Sequence, residues 1–202
     1  MRARSTAVAA TVAVALALTA CGSSSSSTTA SPASTTVAGA VDPNAPEVVS
    51  PGDIPDDQVF VAYTPPGASF SVKVPEGWSR STSGGTVTFT DKYNSIEISS
   101  SEGTQPPTVA SVKATGLDDV SGDPTYNLGS VQEVTRSGRP AVVATYEIAS
   151  APNEVTGKSA LLAVERYQLE KNGTTVVLTL SGAKGADNVD PWKIVSDSVV
   201  WS

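Results

Sequence analysis

Few residues in this chain are of a type that does chemistry. The 202 residues include no histidine and one cysteine, Cys21. Without histidine there is no Ser-His-Asp or Cys-His nucleophilic machinery, and the commonest general base is missing. A single thiol cannot close an intrachain disulfide, and zinc sites built from Cys and His are excluded. Carboxylates remain. Asp118, Asp119 and Asp123 lie close together ahead of Pro124. Oxygens clustered this way can hold calcium, but the spacing is not that of an EF-hand, and its Gly and Glu positions are missing. The reading is an exposed acidic loop. Glu165 is the more pointed case, because strand alternation sets it among Ala163, Tyr167 and Leu180. A carboxylate on an apolar face needs a partner or a raised pKa, unless the strand end is exposed. Trp78, Trp192 and Trp201 could line a ligand groove; the periodic context of the last two reads as core. Gly84-Gly85 lacks the strand-to-helix setting of a phosphate loop and reads as a hairpin turn. Asn172-Gly173-Thr174 matches a glycosylation sequon, but a hairpin turn accounts for it. No catalytic set, cofactor site or metal site is expected.

The cysteine gains meaning from what precedes it. Arg2 and Arg4 form a basic start, Ala7 to Leu18 an apolar stretch, and small residues lead to Ala20. Twelve residues rise about 18 Å as a helix, too short for a hydrocarbon core of about 30 Å. Residues 1–20 therefore read as a processed export signal. Leu18-Thr19-Ala20-Cys21 resembles the lipobox of bacterial lipoproteins. The resemblance implies cleavage before Cys21 and acylation of that cysteine, hence a lipid anchor on the extracytoplasmic face of the cell membrane. Two or three acyl chains make such anchoring stable, since a single chain holds only marginally. A lipidated Cys21 also leaves no free thiol for nucleophilic chemistry.

Residues 21–58 read as the lipidated cysteine and a disordered tether. The segment is rich in Ser, Thr, Ala and Pro and cannot bury enough apolar surface to offset its ordering entropy. As a flexible chain it spans about 35 Å. Asp53, Asp56 and Asp57 are assigned to it. The whole chain carries 13 basic and 20 acidic residues, a net charge of −7. An acidic domain is a poor candidate for nucleic acid, which calls for a basic patch, so no nucleic-acid partner is expected.

Residues 59–202 read as a single domain dominated by period-two alternation. Phe70, Val72 and Val74 form one row, Val87 and Phe89 another, Ile96 and Ile98 a third, and Val142, Ala144, Tyr146 and Ile148 a fourth. Each predicts a strand with one buried face. Asn172-Gly173 predicts a type I′ hairpin that pairs Leu169 with Val176, Tyr167 with Leu178 and Glu165 with Leu180. Arg166 and Gln168 fall on its opposite face. Ser83-Gly84-Gly85, Tyr93-Asn94-Ser95 and Ser137-Gly138 predict further reversals. Two short helices are expected. One is capped by Thr108 and ended by Gly116. The other is capped by Asp190, with Pro191 at its first position and Trp192 and Val195 on one face. A last strand covers Val199 to Trp201. Few, short helices argue for an α+β fold on an antiparallel sheet.

Phe70-Ser71-Val72-Lys73-Val74-Pro75-Glu76-Gly77-Trp78 resembles the opening strand of PsbP-like domains. The stretch from Asp190 to Trp201 resembles their closing helix and strand. Actinobacterial lipoproteins of the LpqN type share this layout and join it to a lipobox and a Ser/Thr-rich tether. The resemblance implies a curved antiparallel sheet with short helices packed on it. It carries over no metal-binding residue, although photosynthetic members assist a metal cluster. The expected function is a non-catalytic accessory or binding module at the cell envelope. Its partners would be membrane lipid through acylated Cys21, and an envelope protein or an apolar small molecule. The alternatives are a structural envelope protein and a glycan-active enzyme built on carboxylates alone.

Overall fold

The computed structural model describes residues 52–102 and 105–202. Cys21, the expected export signal (residues 1–20) and most of the expected tether lie outside the described residues. The alternating rows become strands: β1 (Phe60–Tyr63), β2 (Phe70–Pro75), β3 (Ser79–Ser83), β4 (Thr86–Asp91), β5 (Asn94–Ser101), β6 (Asn127–Arg136), β7 (Arg139–Ala149), β8 (Leu161–Lys171), β9 (Thr174–Ala183) and β10 (Val200–Trp201). They form a seven-stranded sheet in the order β3-β4-β5-β9-β8-β7-β6 and a three-stranded sheet in the order β1-β2-β10. Every pairing is antiparallel.

The β8–β9 hairpin has the register set by its turn. Leu169 pairs with Val176, Tyr167 with Leu178 and Glu165 with Leu180. Asn172 and Gly173 both take positive φ, 54° and 83°, as a type I′ turn demands. The reversal expected at Tyr93-Asn94-Ser95 falls one residue earlier. Asp91 pairs with Asn94, so the turn is Lys92-Tyr93.

One core lies on the β2 side of the large sheet. Phe70, Val72 and Val74 of β2 pack there with Phe89, Ile96, Leu178 and Leu180. Helix α3 (Val189–Ser196) closes this layer with Trp192 and Val195. A second core lies on the opposite face of β7 and β8. It joins Val142, Ala144, Tyr146 and Val164 to Val112 and Leu117. Those last two belong to α1 (Val109–Ala114) and to the residue before α2 (Asp118–Ser121). The expectation of strands with one buried face therefore fails for β7, where Ala141, Val142, Val143 and Ala144 are all buried. Layers on both sides of a central strand remove the solvent face that creates alternation.

Helix α1 starts where expected. Thr108 accepts the Ser111 N–H at 3.0 Å, and Ser111 Oγ accepts the Thr108 N–H at 2.9 Å, a reciprocal cap. Helix α3 starts two residues earlier than the Asp190 cap predicted, with Asn188 in the capping position. The Asn188 side chain does not cap. It accepts the Ile54 N–H at 2.8 Å and donates to Gly52 O at 3.1 Å and to Asn94 Oδ1 at 3.0 Å. The domain consequently begins before Val59. Ile54 is 4% exposed within the first core, and Asp53 accepts the Asp187 N–H at 2.9 Å. The stretch 52–58 was assigned to the tether because its prolines and aspartates carry no periodicity. Buried Ile54, the Asn188 side chain and the Asp53–Asp187 bond hold it in place.

Candidate functional site

Helix α3 divides its residues by periodicity. Trp192, Val195 and Ser196 are buried. Asp190, Lys193, Ile194 and Asp197, spaced i, i+3, i+4 and i+7, share the outer face. Together with Lys73 of β2 and Val200 of β10 they border an open groove of about 650 Å³. Ser198 fixes its end: its hydroxyl accepts the Lys73 N–H at 2.7 Å and donates to Val195 O at 2.6 Å. The apolar part is unusually bare, with Ile194 42% and Val200 63% exposed. The charges alternate around it. Lys193 Nζ donates to Asp197 Oδ2 at 2.6 Å. Burial alone would raise the Asp197 pKa; the Lys193 ammonium and the Ser137 N–H outweigh it and hold the carboxyl below its usual range. The groove therefore offers an apolar floor between fixed charges of both signs.

Glu165 is half-buried, and its carboxylate accepts the Tyr167 hydroxyl. Tyr167 in turn accepts Arg136 Nη2 at 3.1 Å, and Arg136 Nε donates to Ser196 Oγ at 2.9 Å. The guanidinium lies 4.9 Å from the Tyr167 ring centroid. Burial, then the bond to Glu165, pushes the Tyr167 pKa up to about 12. Glu165 thus has the partner that its apolar surroundings demanded. It also borders a cavity of about 210 Å³ with Thr145, Ala163, Trp192 and Glu147. Glu147 was missed in the sequence. The pairings Thr145 with Glu165 and Glu147 with Ala163 make the two glutamates diagonal neighbours on one face. Glu147 is engaged by Lys184 at 2.8 Å.

Asp118, Asp119 and Asp123 are exposed, as expected, but the first two lie on a helix and not in a loop. Asp118 and Asp119 begin α2, and Asp119 reaches across to Arg166 of β8. The two guanidinium nitrogens meet its two oxygens at 2.6 and 2.7 Å. The Arg166 side chain is 8% exposed and that of Asp119 61%. The hydrogen bond from Arg166 holds the Asp119 pKa below its ordinary value against desolvation. Asp123 instead caps its own turn, accepting the Thr125 N–H at 2.7 Å. Among the described residues no group of three or more Asp, Glu, His or Cys is arranged to hold a metal ion. Trp192 is core, and Trp78 and Trp201 pack half-buried against it. Gly84-Gly85 joins β3 to β4 as a hairpin turn. Among the described residues no helix is long and apolar enough to cross a membrane.

No protein-family profile and no curated protein matches the sequence. Solved structures do. The solution structure of cyanobacterial PsbP (CyanoP) from Synechocystis sp. PCC 6803 superposes with a TM-score of 0.50 at 16% identity, over 75% of this chain and 98% of that one. LpqN of Mycobacterium tuberculosis, described as involved in cell envelope biogenesis, gives 0.40 at 15% identity, over 71% and 89%. The Ran-binding protein Mog1p of Saccharomyces cerevisiae gives 0.43 at 9%, over 69% and 87%. The domain thus has a PsbP-like α+β fold, as the opening and closing motifs implied. At these identities the likeness speaks for the fold alone.

Proposed function

We propose that this chain is an exported lipoprotein, anchored through acylated Cys21, whose domain is a non-catalytic binding module at the cell envelope. The observation that carries the reading is the α3 groove: Ile194 and Val200 exposed at 42% and 63% between paired charges. An open groove does not enclose a small apolar ligand, which binding pockets normally bury on most of its surface. It fits a protein segment that carries both apolar and charged side chains. Tethering then serves to raise the local concentration of the module near membrane partners.

The test is site-directed photocrosslinking in the native host, with the probe at Ile194, at Val200 or at the exposed Ser81. The expected result is one adduct with an envelope protein from the two groove positions, lost in Lys73→Glu/Lys193→Glu and in Cys21→Ser. The same adducts from Ser81, or none from the groove, would overturn the docking role. Retention of Cys21→Ser in the membrane fraction would overturn the anchor. A second reading has one observation in its favour: Glu147 and Glu165 share a cavity, as a carboxylate pair for glycan hydrolysis would. Both oxygens sets are already engaged, by Lys184 and by Tyr167. Glycoside cleavage that disappears in Glu147→Gln and Glu165→Gln would establish it.

A further inference from the structure

A second recess lies away from the α3 groove. It has a volume of about 420 Å³ and sits where the β4–β5 turn faces the loop between β7 and β8. We infer that it binds an acidic sugar, a single sugar unit bearing a carboxylate or a phosphate.

The charge of the lining comes first. The chain is acidic, with a net charge of −7. Yet among the described residues the charged ones that line this recess are Lys92 and Lys158. Neither is closely neutralised. The nearest carboxylate to Lys92 is that of Asp91 at 4.0 Å, with the two side chains 77% and 49% exposed. No salt bridge to Lys158 is present among the described residues. Two exposed ammonium groups, one of them only loosely paired, with no carboxylate in the lining, make a local positive field on an acidic chain.

The backbone supplies a second, independent observation. Four two-residue turns join strands of the large sheet. Gly84-Gly85, Ser137-Gly138 and Asn172-Gly173 all contain glycine at positive φ. The fourth is Lys92-Tyr93, where Lys92 itself is held at φ 52°. Lysine gains nothing locally there, whereas glycine would relieve the strain. The turn instead presents an ammonium group and, at Tyr93, a ring that is 52% exposed. Ser137 and Asn172 take the same positive φ at the first position of their turns, 52° and 54°, but each is followed by glycine; Lys92-Tyr93 is the one of the four that carries two long side chains and no glycine.

The remaining lining carries several hydroxyls and a hydrogen-bonded loop over a largely apolar surface. Ser95 and Ser181 form the floor with their hydroxyls 2.7 Å apart. Opposite, Asn153 N–H donates to Lys158 O at 2.9 Å and Gly157 N–H to Asn153 O at 2.8 Å. Ser150 closes the neck, donating its N–H to Ala160 O at 2.8 Å. The Asn153 Oδ1 accepts the Val155 and Thr156 N–H groups, so Lys158 stands on a fixed loop. Ammonium groups for an oxyanion, hydroxyls for a polyol and an exposed aromatic face for a ring together describe an acidic sugar. The volume lies within the range of small-ligand sites, about 300–1,000 Å³.

The experiment is an amide-shift titration of the full isotope-labelled chain with glucuronate, glucose 6-phosphate, glucose and inorganic phosphate. The expected result is saturable shifts at residues 92–95, 150–158 and 181 with one or both acidic sugars, weakening as salt rises. The stronger of the two identifies carboxylate or phosphate as the recognised group. Lys92→Ala/Lys158→Ala should weaken binding about tenfold, and Tyr93→Ala should weaken it with an unchanged salt dependence. These side chains are exposed, so the variants retain the fold, which the unperturbed shifts elsewhere verify. Absence of shifts with both acidic sugars overturns the inference. So does equal binding of glucose, or equal binding of inorganic phosphate alone.

Discussion

Replacing Asp119 by Asn tests the long-range tie between α2 and the central sheet. The substitution keeps the shape and removes the charge facing Arg166. An exposed ion pair contributes about 0–1 kcal/mol, whereas breaking a buried one costs about 3–5 kcal/mol. This pair is asymmetric, with 8% of Arg166 and 61% of Asp119 exposed. The guanidinium also keeps bonds to Gly116 O and Thr179 Oγ1, both at 3.2 Å. The expected cost is therefore intermediate, about 2 kcal/mol. In a domain of this size that lowers Tm by about 4–8 °C, measured by thermal unfolding at pH 7. Arg166→Met removes the charge and keeps the bulk, so in the Asp119→Asn background it should recover most of the loss. The pH dependence follows from the lowered Asp119 pKa. Its unfolded value is about 3.9. The stabilisation is complete above that pH and is lost as the pH falls through the lower folded value. The gap between the native chain and Asp119→Asn should thus close on acidification below about pH 4. A variant that melts within about 1 °C of the native chain at pH 7 would refute the reasoning. So would a double variant less stable than Asp119→Asn alone.

Two further perturbations probe the other polar ties. Asn188→Ala strips the partners from Ile54 N–H and Gly52 O; each buried group left unpaired costs about 1–3 kcal/mol, and limited proteolysis should open near residues 52–58. Continued protection there would show that Ile54 and the Asp53–Asp187 bond hold the segment without Asn188. Tyr167→Phe removes the hydroxyl shared by Arg136 and Glu165; with charged partners the loss should be about 1.5–3 kcal/mol in chemical unfolding, and an unchanged midpoint would count against the network.

What was legible in the sequence is what local chemistry determines. Asn172-Gly173 dictates a turn, the turn dictates a register, and the register placed Glu165 beside Tyr167 correctly. Thr108 as a cap announces α1, although the reciprocal bond from Ser111 emerges only in the structure. The misses are contacts without a local signature. Arg166 and Asp119 are 47 positions apart, and Ile54 and Asn188 are 134 apart. Alternation also erases itself in β7, where helices cover the face that would have been polar. The α3 groove was half legible: the inward spacing of Trp192 and Val195 was read, and its outward counterpart, Asp190 to Asp197, was not. Tyr93 looked like part of a turn, and the sidedness of Lys92 and Lys158 emerges only when two distant loops meet.

The side chain of Asn188 gives the fold a mechanical property. It binds the backbone at residues 52 and 54 and directly precedes α3, whose outer face borders the groove. Were the chain anchored through Cys21 as proposed, tension would enter the domain at this point. The helix that would bear the load is also the helix that borders the proposed docking groove. Pulling and binding then act on one lever, so that a partner gripping α3 would resist peeling of the N-terminal segment, and strain on the tether would loosen the grip.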